Sequence, residues 1–436
     1  MTSRNLDKGT SLYHPKYYVD WKEKNLYDLA EWKNGLAFRK INFSDTGKPV
    51  IKIAELKNGI TRQTNYTKDD FDKSVYLTKG DMVFSWSGNP ETSIDVFWYN
   101  LPHGWLNQHI FKIFPSEIIN KHYLFYTLKY LKPNFQSIAS NKQTTGLGHV
   151  TIRDLKQIKV RLPELNEQKA IANILSTLDE KIETNNQINE KLEEMAQALF
   201  KHWFVDFEFP NENGKPYKSS GGEMVESELG MIPKGWEVGK LGELVEISNK
   251  SIKPQEYPEK FFEHYSIPAF DNGRTPEIQK GEEIKSSKYV INNHMVLVSK
   301  LNPSTKRIWK PITQTNNAIC STEFIVYMAK KENILSYVFE FLNNEKFQGI
   351  LTANATGSTG SRQRVKPKET LNYKVVLPPL KLMRQFSKII EPMHLKIGSN
   401  MIENQKLKGL RDILLPKLIS GEIRVPLDDE VLSEKN

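Results

Sequence analysis

The chain has 436 residues, 38% apolar and 26% charged. That is room for two to four domains and too apolar for a disordered chain. Lysine and arginine exceed the acids to give net +9, which points toward a polyanionic partner without fixing a fold. A single cysteine, Cys320, excludes a disulfide framework or a Cys-rich zinc site. The polar start, Met1 to Thr10, has no signal-peptide core, and no run of 18 apolar residues occurs, so the expected compartment is the cytoplasm.

In chain order, residues 1–20 read as a leader, and 21–165 mix short apolar runs with Gly, Pro and Asn turns. Val50 to Ala54, Asp81 to Ser85 and Ile110 to Phe114 predict strands, and Ile118 to Tyr130 predicts a helix. A long helix occupies 166–206. Its apolar seam is expected at Ile171, Ile174, Leu178, Ile182, Asn185, Ile188, Leu192, Met195 and Leu199, a mean step of 3.5 that fits a left-handed coiled coil. Residues 207–235, with Ser219-Ser220-Gly221-Gly222, read as an exposed linker.

Residues 236–380 then repeat the first globule, with strands expected at Met295 to Ser299 and Phe324 to Met328 and a helix at Ile334 to Phe341. Residues 381–420 repeat the helix, with its seam at Phe386, Ile389, Met393, Ile397, Asn400, Leu407, Leu410 and Leu414. Pro392 predicts a kink or a late helix start. Residues 421–436 form a tail.

The repeat is visible as identities in the same order. Trp21, Leu26, Leu29, Glu31 and Asn34 match Trp236, Leu241, Leu244, Glu246 and Asn249, and Asn89-Pro90 match Asn302-Pro303. Asn185 matches Asn400, where a polar seam residue fixes register or, alternatively, sits solvated on a flank. The order globule, helix, linker, globule, helix is simplest if the two helices run antiparallel. The expected class is therefore α+β: two tandem α/β globules joined by an antiparallel two-helix coiled coil with pseudo-twofold symmetry. A parallel intermolecular coil is the rival arrangement.

No Gly-rich cofactor loop follows a strand, and Asn89-Pro90-Glu91 and Asn302-Pro303-Ser304 lack the second proline and aromatic of a base-gripping loop. Gly47-Lys48-Pro49 and Gly214-Lys215-Pro216 lack the hydroxyl of a phosphate loop. Glu31-Trp32-Lys33 and Glu55-Leu56-Lys57 match the short string of a metal-dependent nuclease, a common coincidence in a Glu- and Lys-rich chain. The nine histidines have no metal-ligand spacing. The reading is a DNA-binding chain without catalytic or metal sites; a nuclease and a protein-only coiled-coil scaffold are the alternatives.

Certain segments carry a family resemblance. Gly230-Met231-Ile232-Pro233-Lys234-Gly235-Trp236 resembles the start of a target-recognition domain in specificity subunits of type I restriction–modification enzymes, and Leu377-Pro378-Pro379-Leu380 resembles its exit. Leu414-Leu415-Pro416-Lys417-Leu418-Ile419-Ser420-Gly421-Glu422-Ile423 is similar to the distal segment of those subunits. The first globule lacks the Pro-Lys-Gly lead before Trp21. The resemblance implies one domain for each half of a bipartite, asymmetric DNA site and a coiled coil that sets the gap. It also implies partner modification subunits that carry S-adenosylmethionine and methylate adenine. Partner motor/nuclease subunits would use ATP and Mg2+ to cleave, and this chain itself would bind no cofactor.

Base edges are read by amide, hydroxyl and cationic side chains from loops and helix ends. The loops with that composition supply the candidates Trp86, Ser87, Asn89, Gln143, Thr144 and Thr145 in the first globule. The second supplies Lys300, Asn302, Ser358, Thr359, Ser361, Arg362, Gln363 and Arg364. Solvated turn residues are the plain alternative for each loop.

Overall fold

The computed structural model describes residues 21–143, 146–357 and 363–426. The chain divides into two compact units, residues 1–182 with 405–436, and residues 183–404.

In the first unit, Lys22–Asn25 pairs antiparallel with Lys159–Leu162. This ribbon brings the start of the globule beside the chain that leaves it for the long helix. The main sheet is antiparallel in the order Ala30–Asn34, Ile110–Pro115, Met82–Ser85 and Asp95–Trp98. Its core holds Trp32, Phe84, Phe111 and Ile113, which pack against the helices Lys121–Tyr130 and Lys132–Asn141 through Tyr123, Leu124, Leu128 and Phe135. A second sheet runs Tyr66–Thr67, Lys48–Ile51, Gly104–Leu106, Tyr76–Leu77, with a parallel pair at its centre.

The second unit repeats this topology. Its antiparallel sheet runs Val245–Ile247, Phe324–Ala329, Met295–Ser299, Ile308–Trp309. Its other sheet again centres on a parallel pair, Phe261–Tyr265 with Ala318–Cys320, and adds Ser251–Ile252 at one edge. Glu237–Lys240 pairs with Lys374–Leu377 as the closing ribbon. Weak sequence identity therefore conceals the same strand order.

The long helices are Leu165–Phe200 and Leu380–Ile419. Their pairing is antiparallel within each unit. In the second unit, Asn185 Nδ2 donates to Asn404 Oδ1 at 2.9 Å and Asn400 Nδ2 to Asn189 Oδ1 at 2.8 Å, so four residues forward on one helix are matched by four back on the other. In the first unit, Arg411 pairs with Asp179 at 2.6 Å and Arg424, beyond the helix end, with Glu167 at 2.7 Å.

The seam differs from the predicted one in detail. On the first helix the inward side chains are Ile171, Leu175, Leu178, Ile182, Asn185, Asn189, Leu192, Ala196 and Phe200, in alternating steps of mostly four and three. Ile188 and Met195 are exposed, whereas Ile174 and Leu199, half-buried like Leu178 and Leu192, pack against the cores of the two units. On the second helix Ile389 and Leu410 are exposed while Ile390 is buried and Arg411 is turned to Asp179. Ranking neighbours by hydrophobicity selects Ile188 over Asn189, Met195 over Ala196 and Leu410 over Arg411. The fold satisfies the polar neighbours in pairs instead. Pro392 neither delays nor ends the helix; it is exposed within the continuous run Leu380–Ile419, although its missing N–H costs one helical hydrogen bond.

Residues 207–235 are also more ordered than an exposed linker. Phe209 stacks on Trp236 with ring centroids 5.1 Å apart and on Tyr217 at 4.6 Å, and Met224–Ser227 forms a hairpin with Gly230–Pro233. The apolar residues scattered among the Gly and Ser bind this arm to the core. In the first unit the repeat-matched tryptophan, Trp21, is covered by the guanidinium of Arg424 at 5.9 Å and donates its Nε1–H to Glu167 at 3.3 Å. Arg424 stands at the position matched by Phe209, so a cation replaces an aromatic ring as the lid of an equivalent tryptophan.

Candidate nucleic-acid interface

Both main sheets end in a rim of polar loops at the same topological place. In the first unit, strand Met82–Ser85 runs into residues 86–89, and 107–109 feed strand Ile110–Pro115 beside it. Ser87–Gly88 pairs antiparallel with Gly148–His149, and Val150 N–H donates to Trp86 O at 2.8 Å. Two loops chosen separately from the sequence thus form one ribbon. Gly148 is required there, because a Cβ would lie 2.1 Å from the Ala139 carbonyl oxygen of the helix below. Behind the ribbon, Lys142 reaches Asp154 at 2.5 Å. Burial pushes the Asp154 carboxyl up, but Lys142 and Thr151 hold it below the usual carboxylate range, so the brace stays charged at neutral pH.

The candidates differ in what they are free to do. Trp86 donates Nε1–H to Asn34 Oδ1 at 3.0 Å and stacks on Phe111 at 5.5 Å, so it is a fixed platform. Asn89 caps helix Pro90–Ser93, its Oδ1 accepting from Glu91 N at 3.0 Å and Thr92 N at 3.1 Å. That oxygen is therefore occupied by the fold. Ser87 lies on the ribbon and Gln143 is exposed at its approach. Thr144 and Thr145 lie outside the described residues.

In the second unit, strand Met295–Ser299 runs into residues 300–302. Asn302 N–H donates to Gln363 O at 2.9 Å and Val365 N–H to Lys300 O at 3.0 Å, which joins Lys300, Asn302, Gln363 and Arg364 in one ribbon. Asn302 holds a left-handed backbone with φ of 49°. Arg364 is gripped by Glu323 through Nη2 at 3.1 Å and Nε at 3.2 Å, so two donors of the fork point into the domain. Ser358, Thr359, Ser361 and Arg362 lie outside the described residues.

Sequence reasoning missed Asn34, Gln108, His109 and His149 in the first rim, and Asn249 and Lys250 in the second. Asn34 and Asn249 were visible as a matched pair in the repeat, both exposed at the end of the first strand of their sheets. The histidines carried no spacing signal because the sheet, not the local chain, brings His109 within 5.7 Å of Trp86 and His149 opposite Ser87.

The two nuclease-like strings have structural uses. Glu55 accepts from Lys52 N at 3.0 Å and from Thr64 Oγ1 at 3.1 Å, capping helix Ile53–Asn58. Glu31 and Lys33 lie on strand Ala30–Asn34, and Lys33 pairs with Asp72 at 3.5 Å. Among the described residues no group of three or more His, Cys, Asp or Glu is placed to hold a metal ion. The first rim instead offers amide, hydroxyl and imidazole groups and the second amide and ammonium groups, each on a backbone fixed by paired hydrogen bonds, which suits direct readout of base edges and phosphates.

The model of the type I restriction modification DNA specificity domain matches residues 18–194 and again residues 233–409. The chain belongs to this family. Its relatives include the type I restriction enzyme MjaIX specificity subunit of Methanocaldococcus jannaschii, 27% identical over 93% of this chain and 94% of that protein. The EcoDI specificity subunit of Escherichia coli is 23% identical over 94% of this chain and 90% of its own length. Among solved structures, the S subunit of the type I restriction–modification system of M. genitalium superposes with a TM-score of 0.57 over 93% of this chain and 97% of that one, at 17% identity. That likeness concerns the fold. The two family matches each cover one globule and the helix that follows it, which is the repeat seen in the strand order.

Proposed function

We propose that this chain is the DNA-specificity subunit of a type I restriction–modification enzyme. The observation that carries the reading is the duplicated family domain, with an equivalent polar ribbon at the same end of each main sheet. The chain supplies recognition, and partner subunits of the restriction–modification complex supply chemistry. Each globule reads one half of a bipartite DNA site. The rims are chemically unlike, His109, His149 and Gln143 in one against Lys250, Lys300 and Arg364 in the other, so the half-sites differ in sequence. The paired helices set the gap between them.

In finer detail, modification subunits bind S-adenosylmethionine and methylate adenine in the site, and motor/nuclease subunits use ATP and Mg2+. Among the described residues no helix is long and apolar enough to cross a membrane, and cytoplasmic action on DNA is part of this proposal. The base contacts are assigned to Ser87, Gln143, Lys300, Asn302 and Gln363, with Trp86, Asn89 and Arg364 holding the ribbons that carry them.

The test is co-expression with the modification subunits and sequencing of methylated bases. A bipartite motif is expected, and exchanging residues 236–380 for those of a relative should alter one half of it only. Alteration of both halves would overturn the modular reading.

A further inference from the structure

His394 lies on the second long helix, yet every polar group it meets belongs to the recognition globule of the same unit. Its Nε2 is 2.6 Å from Glu340 Oε1, and its Nδ1 is 3.2 Å from Ser336 Oγ and 3.0 Å from Lys310 Nζ. Ser336 and Glu340 are on helix Leu335–Leu342, and Lys310 follows strand Ile308–Trp309. The imidazole and the carboxylate are buried, at 6% and 2% side-chain exposure. The ring of Phe339 meets the imidazole edge-on at 5.0 Å, and Gln197 of the first long helix donates to the second oxygen of Glu340.

We infer that His394 is the positioning residue that fixes the second recognition domain on its helices, and that protons act through it on the second half-site. This rests on the specificity-subunit reading above. With a carboxylate at Glu340 and an ammonium at Lys310, the arrangement that satisfies these contacts has Nε2–H donating to Glu340 and Nδ1 accepting from Lys310, with the Ser336 hydroxyl sharing that acceptor. A proton added at Nδ1 removes that acceptor and sets an imidazolium against the ammonium, so Lys310 must leave. The other charged groups that face the cluster are Glu193 of the first long helix and Glu391 one turn back on the second, and both are acids that draw the released ammonium away. Burial holds the imidazole below its ordinary value, against the hydrogen bond it donates to Glu340, with Lys310 adding to the depression. The lock is therefore closed at neutral pH and opens in acid.

The matched positions in the first unit are filled differently, with His122 where Ser336 stands, on the globule's helix Lys121–Tyr130. Tyr126 and Asp179 stand where Glu340 and His394 stand, bonded at 2.7 Å, and Arg411 completes that junction. Trp98 stands where Lys310 stands, since Phe84 pairs with Val96 as Val298 pairs with Ile308, and it stacks on Phe125 at 4.9 Å. Tyrosine, arginine and a paired aspartate, which join the first globule to its helices, keep one charge state between about pH 5 and 8, whereas histidine changes its own there; the ring of His122 packs on Trp98 within the globule instead.

The experiment is footprinting of both half-sites by the full chain assembled with its modification subunits, on the target found by methylation mapping. Between about pH 7.5 and 5, protection of the second half-site should fall more than about threefold relative to the first. His394→Gln, which keeps a donor and an acceptor but does not titrate, should protect both half-sites with a flat ratio. A second variant, Glu340→Tyr with His394→Asp, transplants the first unit's pair and should also flatten the profile. Parallel loss of both half-sites in the native protein, or an unchanged pH dependence in either folded variant, overturns the lock. Absence of sequence-specific protection at every pH would instead overturn the specificity-subunit reading.

Discussion

Replacing one asparagine of the buried ladder should cost more than replacing a bonded pair. Asn400 is fully buried and Asn189 nearly so, and the bond between them is 2.8 Å long. Asn400→Leu leaves the Asn189 carbonyl oxygen without its donor in an apolar seam, a penalty of about 1–3 kcal/mol. The new side chain returns part of this through its burial, so a net loss of roughly 1–2 kcal/mol is expected. Changing both Asn189 and Asn400 to Leu removes donor and acceptor together and should restore or raise stability. The pairwise coupling in a urea double-mutant cycle should then be about 1–3 kcal/mol. Register is the second readout. The native alignment places Ile182 opposite Leu407 in a following layer, so cysteines at those two positions should cross-link in the wild-type background. They should cross-link less completely once the polar layer that penalises slipped alignments is gone. A coupling under about 0.5 kcal/mol, with cross-linking unchanged, would refute the assignment of these asparagines as register residues.

Arg424→Ala uncovers Trp21 and leaves the buried Glu167 held by the Trp21 indole N–H; a loss of about 1–2 kcal/mol is expected in chemical unfolding of the first unit, while Arg424→Lys should recover only part of it. Burial lowers the Lys310 ammonium to about 8 from an ordinary 10.5, so above pH 8 the unfolded chain holds the proton that the folded chain has lost. Stability should therefore rise with pH across that window, and Lys310→Met should remove the rise when the two proteins are compared by urea unfolding at each pH. A heptad inserted after Leu192 needs a partner insertion opposite it, which the antiparallel register places after Ile397; an insertion after Leu407 lies opposite Ile182 instead. The pair at 192 and 397 adds about 10.5 Å of helix and should widen the mapped gap by about three base pairs, whereas an unchanged gap in the folded variant would make the helices a tether.

The sequence by itself determined the repeat, the two globules, the long helices and the absence of familiar catalytic motifs. These are properties of residue order and period: matched Trp, Asn and Gly positions, β-branched runs, and apolar residues recurring every three or four places. It also pointed to loops that pair with one another at the sheet rims, since Gly, Ser, Asn and Gln mark exposed turns whatever lies across from them. Tertiary structure decided which neighbour in each helical step faces inward, because the energy of Asn189 or Arg411 depends on a partner about 200 residues away and not on its own hydrophobicity. It likewise decided that Asn89 and Arg364 brace the ribbons, since a cap or an ion pair occupies donors and acceptors that composition counts as available. His394 shows the limit most plainly. Alone on a helix it reads as a scattered histidine, and only the packing of Ser336, Glu340 and Lys310 around both its nitrogens turns it into a polar lock.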